Sequence, residues 1–522
     1  MKWPHCFFGI LILGIGLLLS FNEESPAKVQ KLDNPGKYIH VQLDLLINEL
    51  KDFRNDLSDS VLCSAHYFNA RKYYKHIEFF VEHVSPVQAK YQINGALVPK
   101  FSEYVPGSIV NPCGFQRVEE ILFSGDEIDS TVLENELLDL ISVFQELKNA
   151  YQTISLSDHL YLEMLQLQLV RIAAMNLNGY DATFTKTNLE EVNENLESML
   201  QMIGYFRLKF GTKGILKKRF RDIRVDIQEA QKFLRENPGF DGFNRLEFIR
   251  TDIKRINLDL VLLHRDLGLP WSDHKQALRL NTEHLFSKGS FNPQFFSIYY
   301  SDESDLVKQA ALGKLLFYDP ILSANNERAC SSCHQPDKAF TDGLKTSLAF
   351  NKSGNVERNA PTLIDALYQK AFFYDGKAYQ LEQQVRDVVH NEHEMGGKLS
   401  DAVLKLRGSE EYKKLFREAF ARKKDADISE YAIQKAIAEY EKTLISMNSR
   451  FDRYLTGEKG TLNQREINGY NLFAGKALCG SCHFFPLFNG TVPPYFMDSE
   501  YEILGTPGTK ENKSLDKDNA LK

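Results

Sequence analysis

The pentapeptide Cys330-Ser331-Ser332-Cys333-His334 recurs as Cys479-Gly480-Ser481-Cys482-His483, 149 residues further along the chain. Two thiols one helical turn apart can form thioethers with the two vinyl groups of a porphyrin. The adjacent histidine then lies beneath the ring and ligates iron. A lone C-x-x-C would also suit half of a zinc site or a redox dithiol, but the histidine directly after it argues against both. The two motifs hold every cysteine in this half of the chain. The sequence therefore predicts two covalently attached c-type haems, with His334 and His483 as proximal ligands. What stands on the opposite faces decides function: two filled axial positions suit electron transfer, whereas an open one suits activation of a small oxidant.

The N-terminus points to export. Lys2 precedes an apolar run from Phe7 to Leu19, followed by polar Asn22-Glu23-Glu24-Ser25. Thirteen residues fit the core of a signal peptide and are short for a membrane span. Residues 1–21 read as a signal peptide or, alternatively, as an uncleaved N-terminal anchor. Either way the remainder is expected outside the cytoplasm, in the periplasm. In an oxidising compartment Cys63 and Cys113 become candidates for a disulfide, since Cys6 lies in the export segment.

A chain of 522 residues exceeds one ordinary core, which implies two or three domains. A hydrophobic content of 43% with 25% charged residues describes a soluble globular protein. The net charge of −7, with no long basic run, argues against nucleic-acid binding. Residues 28–280 read as helix after helix. Apolar residues fall three and four apart from Lys148 to Met175 and from Asn188 to Tyr205, and Pro86 to Pro112 is the main irregular insert. Pro270-Trp271 and Lys288–Pro293 then break the periodicity. Beyond them, residues 305–445 and 446–522 each surround one motif, separated by a long helical stretch from Asp401 to about Ser446. The expected fold is mainly α: an N-terminal helical bundle followed by two small cytochrome c-like haem domains, each built around its own cofactor.

Several segments around these motifs resemble the bacterial dihaem cytochrome c peroxidases, a likeness shared with the methylamine-utilisation dihaem enzyme. They are Leu312 to Pro320, the first haem motif, Ala339 to Gly343, Arg358 to Leu363, Tyr374 to Ala378, Leu381 to Gln384, Glu394 to Gly396 and Phe451 to Tyr454, within residues 305–510. The resemblance implies that the haem on His334 reacts with hydrogen peroxide and the haem on His483 receives electrons from a small donor, a cytochrome c or cupredoxin. It places Glu394 at the distal acid–base position, where a carboxylate can move a proton between the peroxide oxygens. It makes Gln384 the distal glutamine that orients peroxide, and Asn359 a contributor to a calcium site between the haems. Read alone, Glu394 could equally be a solvated carboxylate, Gln384 a helix-surface residue and Asn359 a turn residue before Pro361.

Three departures from the family pattern matter. No histidine occurs between His334 and His390, so the loop histidine that blocks the resting haem in many relatives is missing; His390 and His393 read as structural neighbours of Glu394. Tyr374 stands where the family usually has a tryptophan between the haems, which gives it a place on the electron path or a role in packing. The chain stops 39 residues after His483, and its single later methionine, Met497, comes too soon to match the usual axial ligand. The second haem domain is therefore expected to be truncated.

The bundle carries a fainter likeness. Phe79 to Glu82 and Gly114-Phe115-Gln116-Arg117-Val118-Glu119 resemble the imelysin-type helical domains, whose Gly-x-His-x-x-Glu motif is associated with metal. Gln116 takes the place of that histidine, which weakens a metal reading, and His66, His76 and His83 read as surface or packing residues. The expected activity is peroxide reduction by a cytochrome c peroxidase, with a homodimer as one expected assembly. The alternatives are a dihaem enzyme that oxidises a partner protein or small molecule, and a non-catalytic dihaem electron carrier or sensor.

Overall fold

The computed structural model describes residues 34–102, 108–152, 156–272, 276–297, 303–350, 354–420, 428–511 and 513–515; the N-terminal apolar run and Cys6 lie outside them. The protein is mainly helical. α1 (Pro35–Asn55) and α2 (Ser60–Val84) pack along one another, each opened by a side chain that accepts from the first-turn amides, Asn34 and Asp59. The one-turn α3 (Pro86–Gln88) leads into the irregular insert. There β1 (Lys100–Phe101) pairs antiparallel with β2 (Ile109–Val110), the only sheet among the described residues. The bundle continues with α4 (Phe115–Phe123), α5 (Ser130–Tyr151), α6 (Asp158–Ala174), α7 (Asn188–Phe210), α8 (Ile215–Glu236), α9 (Arg245–Phe248) and α10 (Lys254–Asp266). The periodicity from Lys148 to Met175 thus spans two helices, while that from Asn188 to Tyr205 lies within α7.

α6 is buried on every side from Tyr161 to Ala174, as expected of a central helix. Its Arg171 joins a buried ionic network. Arg71 donates to both Glu191 oxygens at 2.7 and 2.6 Å. Lys75 donates to Glu78 and Asp181, each at 2.6 Å, and Arg171 to Asp181 at 2.9 Å. Charges removed from water survive only with such partners. The resembled metal motif is spent on the same interior: Gln116 Nε2 donates to Tyr180 O at 2.6 Å, and Glu119 accepts from the Thr183 and Thr185 amides. His66 pairs with Glu49 and Asp56, and His76 with Tyr38 and Glu194. Cys63 and Cys113 do not pair. Both thiols are free, Cys63 donating to Asp56 O from within the α1–α2 core and Cys113 donating to Tyr91 O beside Gly95.

The second half comprises α11 (Glu303–Tyr318), α12 (Leu381–His390), α13 (Leu399–Arg407), α14 (Glu410–Ala419), α15 (Glu430–Lys442), α16 (Arg450–Thr456) and α17 (Gln464–Ala474). The stretch from Asp401 to Ser446 is therefore three helices, not one. Ser409 and Ser429 divide it, each accepting from an amide three residues on (Tyr412, Ala432) in place of continuing the ladder. α11 lies so close against α15 that a Cβ at Gly313 would strike the Ala436 carbonyl.

The apolar core does not divide where the sequence suggested. One cluster joins α11 to α15 through Leu312, Val389, Leu406, Phe416 and Ile433. A larger one runs through the whole bundle and continues into Tyr454, Tyr470, Phe484, Phe485 and Phe496 around the second motif. A segment this short has too few apolar side chains for a core of its own. It borrows the bundle's.

Candidate functional site

Cys330–Ser332 forms a single 3-10 turn, and the His334 amide closes onto Cys330 O at 2.9 Å. The chain then folds back through the Gln335–Thr341 bridge, with Ala339 and Phe340 left-handed at φ 54° and 59°. This turn aims the Phe340 carbonyl at the imidazole, and His334 Nδ1 donates to it at 2.9 Å. The second motif repeats the arrangement on a different loop. Cys479–Ser481 is again a 3-10 turn, Phe488 is left-handed at φ 58°, and its carbonyl accepts from His483 Nδ1 at 3.2 Å. A proton fixed on Nδ1 leaves the Nε2 lone pair for a metal.

These residues fit haem. All four motif thiols are free, and burial raises Cys330, Cys333 and Cys482 above the ordinary thiol value. Among the described residues no group of three His, Cys, Asp or Glu side chains could hold a metal ion.

The first motif is tied to the turn after α12 by Arg328, two residues before Cys330. Its guanidinium donates to Glu394 O, Leu348 O and Ala349 O, each at 3.0 Å. Glu394 is half-buried in the turn after α12, where its carboxylate accepts from Asn391 Nδ2 at 2.8 Å. Burial raises its pKa above the ordinary carboxylate value, against the smaller opposing pull of Lys377, Asn391 and Arg328. Its charge is felt at the Cys333 thiol. Gln384 is half-buried in the first turn of α12, and Asn359 is exposed before Pro361. Tyr374 is exposed, its ring beneath the Arg358 guanidinium at 5.4 Å. His390 Nε2 accepts from the Leu399 amide at 3.2 Å, and Met497 is exposed.

The second motif rests on the bundle. A Cβ at Gly480 would fall 3.0 Å from the Asn178 amide group, and Tyr180 meets Phe484 with ring centroids 5.7 Å apart. Arg245 donates to Leu177 O at 2.6 Å, and Asn471 Nδ2 to Asn244 Oδ1 at 2.8 Å. Downstream of the motif, Lys100 Nζ meets Glu500 at 2.5 Å and Lys90 meets Asp498 at 3.0 Å. The insert at Pro86 to Pro112 is thereby a clamp on the segment after His483.

Two residues escaped the sequence reading: Arg328 and Glu441. Arg328 sits two residues before the first motif, so proximity to it was a usable signal. Glu441 offers none. It is buried beside the packing of Tyr440 and Leu444 on Cys330, with Oε2 lacking a hydrogen-bond partner.

Comparison with known proteins finds one family model and several relatives. Residues 307–460 match the family model described as di-haem cytochrome c peroxidase. The cytochrome c551 peroxidase of Nitrosomonas europaea is 36% identical over 206 residues, covering 39% of this chain and 58% of that protein. The methylamine utilization protein MauG of Methylophilus methylotrophus is 34% identical over 179 residues, covering 34% and 52%. A crystallised MauG-like protein associated with microbial copper homeostasis has 31% identity and a TM-score of 0.34, covering 38% of this chain and 57% of that one. The chain spans about half the length of the curated relatives it matches. The matched span, residues 307–460, contains the first Cys-x-x-Cys-His motif; the second, Cys479 to His483, lies beyond it.

Proposed function

We propose that this protein is an exported dihaem peroxidase that reduces hydrogen peroxide: H2O2 with two electrons and two protons gives two waters. The observation that carries the reading is the matched pair of C-x-x-C-H turns, each with its histidine held at Nδ1 by the carbonyl of a left-handed phenylalanine. Cys330, Cys333 and His334 would hold one haem, and Cys479, Cys482 and His483 the other. A haem held by Cys330, Cys333 and His334 would supply the redox chemistry for peroxide reduction. Glu394 takes a proton from one peroxide oxygen and returns it to the leaving one, a task suited to a carboxyl lifted by burial. Gln384 orients the peroxide, Asn359 contributes to a calcium site, and Tyr374 lies on the electron path between the haems. Electrons arrive at the His483 side from a small cytochrome c or cupredoxin in the periplasm. The segment 1–21 directs export or anchors the chain; among the described residues no helix is long and apolar enough to cross a membrane.

The absence of any histidine between His334 and His390 favours a second reading, oxidation of a partner protein, as does the similarity to a methylamine utilization protein. Turnover separates the two. Protein matured in a strain competent in cytochrome assembly should consume peroxide while oxidising two reduced cytochromes c per peroxide. A dihaem product that reacts with peroxide yet leaves the cytochrome reduced would exclude the peroxidase reading.

A further inference from the structure

We propose that Lys90 and Lys100, on the bundle's irregular insert, raise the midpoint potential of the haem held by Cys479, Cys482 and His483 by neutralising the carboxylates that crowd its attachment loop. The N-terminal half thereby takes part in electron entry, a role that rests on the two-haem reading.

The chain after the second motif is acidic and folds back onto it. Glu500 and Glu502 both face Cys482: the thiol donates to Glu502, and the charge of Glu500 is felt there as well. The backbones are close too. A Cβ at Gly490 would meet the carbonyls of Glu500 and Cys482 at 3.7 and 3.9 Å, and the Glu500 amide donates to Gly490 O at 3.0 Å. Asp498, two residues before Glu500, adds a third carboxylate. Reduction adds one electron, hence one more negative charge, so uncompensated carboxylates beside this haem would hold its potential down.

The insert supplies two cations against them. Lys100 Nζ donates to Glu500 at 2.5 Å, and Lys90 Nζ lies 3.0 Å from Asp498 and 3.6 Å from Glu500. The Tyr91 ring lies 5.2 and 5.5 Å from the two ammonium groups. The backbone sets this register. Lys100 pairs antiparallel with Glu502, the Phe101 amide donates to Tyr501 O at 3.0 Å, and the Ile503 amide to Pro99 O at 2.9 Å. β1 therefore carries β2 on one edge and the tail of the second motif on the other. The side chains of Lys100 and Glu500 are only 3% and 5% exposed, so salt screens their charges little. Backbone pairing alone would clamp the tail, and apolar side chains there would avoid the desolvation cost of a buried ion pair. What the lysines add is positive charge next to the attachment loop. They act through the carboxylates they neutralise and are positioning residues.

The test is a spectroelectrochemical titration of the full-length dihaem protein. The second haem's wave is identified as the one absent from the Cys479→Ala, Cys482→Ala protein. At alkaline pH, where the carboxylates stay ionised, Lys100→Met should move that wave to a more negative potential and leave the first haem's wave in place. At the potential where the unsubstituted second haem is half reduced, the variant's oxidised-to-reduced ratio should rise several-fold. Glu500→Gln, nearly isosteric, should move the wave the opposite way, and the double substitution should return it close to its start. Lys100→Arg keeps the charge and should leave it unmoved. Should Lys100→Met lose the second haem, Lys90→Gln and Glu500→Gln decide. Lys90 is 12% exposed, and its substitution should give a smaller shift towards negative potential. A second wave unmoved in Glu500→Gln and in the lysine variants, with both haems attached, overturns the tuning and leaves a mechanical clamp, the two-haem reading standing. An unsubstituted protein with no haem on Cys479 and Cys482 overturns both.

Discussion

Arg328 Nη1 donates to the backbone carbonyl of Glu394 at 3.0 Å, which fastens the carboxylate-bearing turn to the chain two residues ahead of Cys330. The same guanidinium spans Leu348 O and Ala349 O, so one side chain holds three carbonyls on two loop segments beside the first motif. A lysine has no fork to reach all three. Glu394 is thus placed by the backbone it sits on, not by contacts of its own carboxylate with the motif.

Arg328→Ala should therefore loosen Glu394 without touching haem attachment. Charged hydrogen bonds to otherwise unmet carbonyls are worth about 1–3 kcal/mol, and a stability loss of that order is expected in urea titration. Peroxide turnover should fall with both haems present. Arg328→Lys should recover only part of it.

Glu394→Gln should cut peroxide turnover about 10²–10⁴-fold, the usual worth of a positioned acid–base group, while the absorption spectra stay those of a dihaem protein. Burial raises this carboxyl above its ordinary 4.5. The base form needed for the first proton transfer is thus lost at a higher pH than for a solvated carboxylate. The acid limb of the rate profile should lie above pH 4.5 and disappear in the glutamine variant.

How far the sequence disclosed this arrangement depends on what each feature rests on. The C-x-x-C-H motifs carry their chemistry in consecutive residues, and the 3.6-residue period of α7 is local, so both could be read directly. The breaks at Ser409 and Ser429 were missed because a serine in an apolar-periodic run is ambiguous between helix interior and cap. The Cys63–Cys113 pairing failed because spacing says nothing about separation in space. The shared core of bundle and second motif, and the seating of Gly480 on Asn178, join residues some 300 positions apart. No local pattern encodes them.

Glu441 gives a stability prediction with a definite sign. Burial, then the neighbouring Glu382 charge, pushes its carboxyl from an ordinary 4.5 up to about 8, with Lys442 pulling the other way. The folded protein keeps a proton that the unfolded chain releases near pH 4.5. The resulting stabilisation is complete below that pH and is lost as pH rises towards about 8. Glu441→Gln should flatten this alkaline decline in the urea midpoint.

His264 works in the opposite direction. It is fully buried, stacked on Trp271 with centroids 3.6 Å apart, and neither ring nitrogen has a hydrogen-bond partner. Burial, then the nearby His159, lowers it from 6.5 to about 4. Its contribution is complete above pH 6.5 and is lost as pH falls towards about 4, because the unfolded chain takes up the proton first. His264→Phe preserves the stack and should remove this acid-side loss over the same window.

The paired haem attachment underlies the turnover expectations and can be weighed directly. Intact-mass spectrometry of the mature protein from a cytochrome-maturing strain should show the polypeptide plus two haems. Cys330→Ala with Cys333→Ala should leave one haem, and Cys479→Ala with Cys482→Ala should likewise leave one. A polypeptide mass with no added haem, obtained under conditions where a control cytochrome c is fully loaded, would contradict the account.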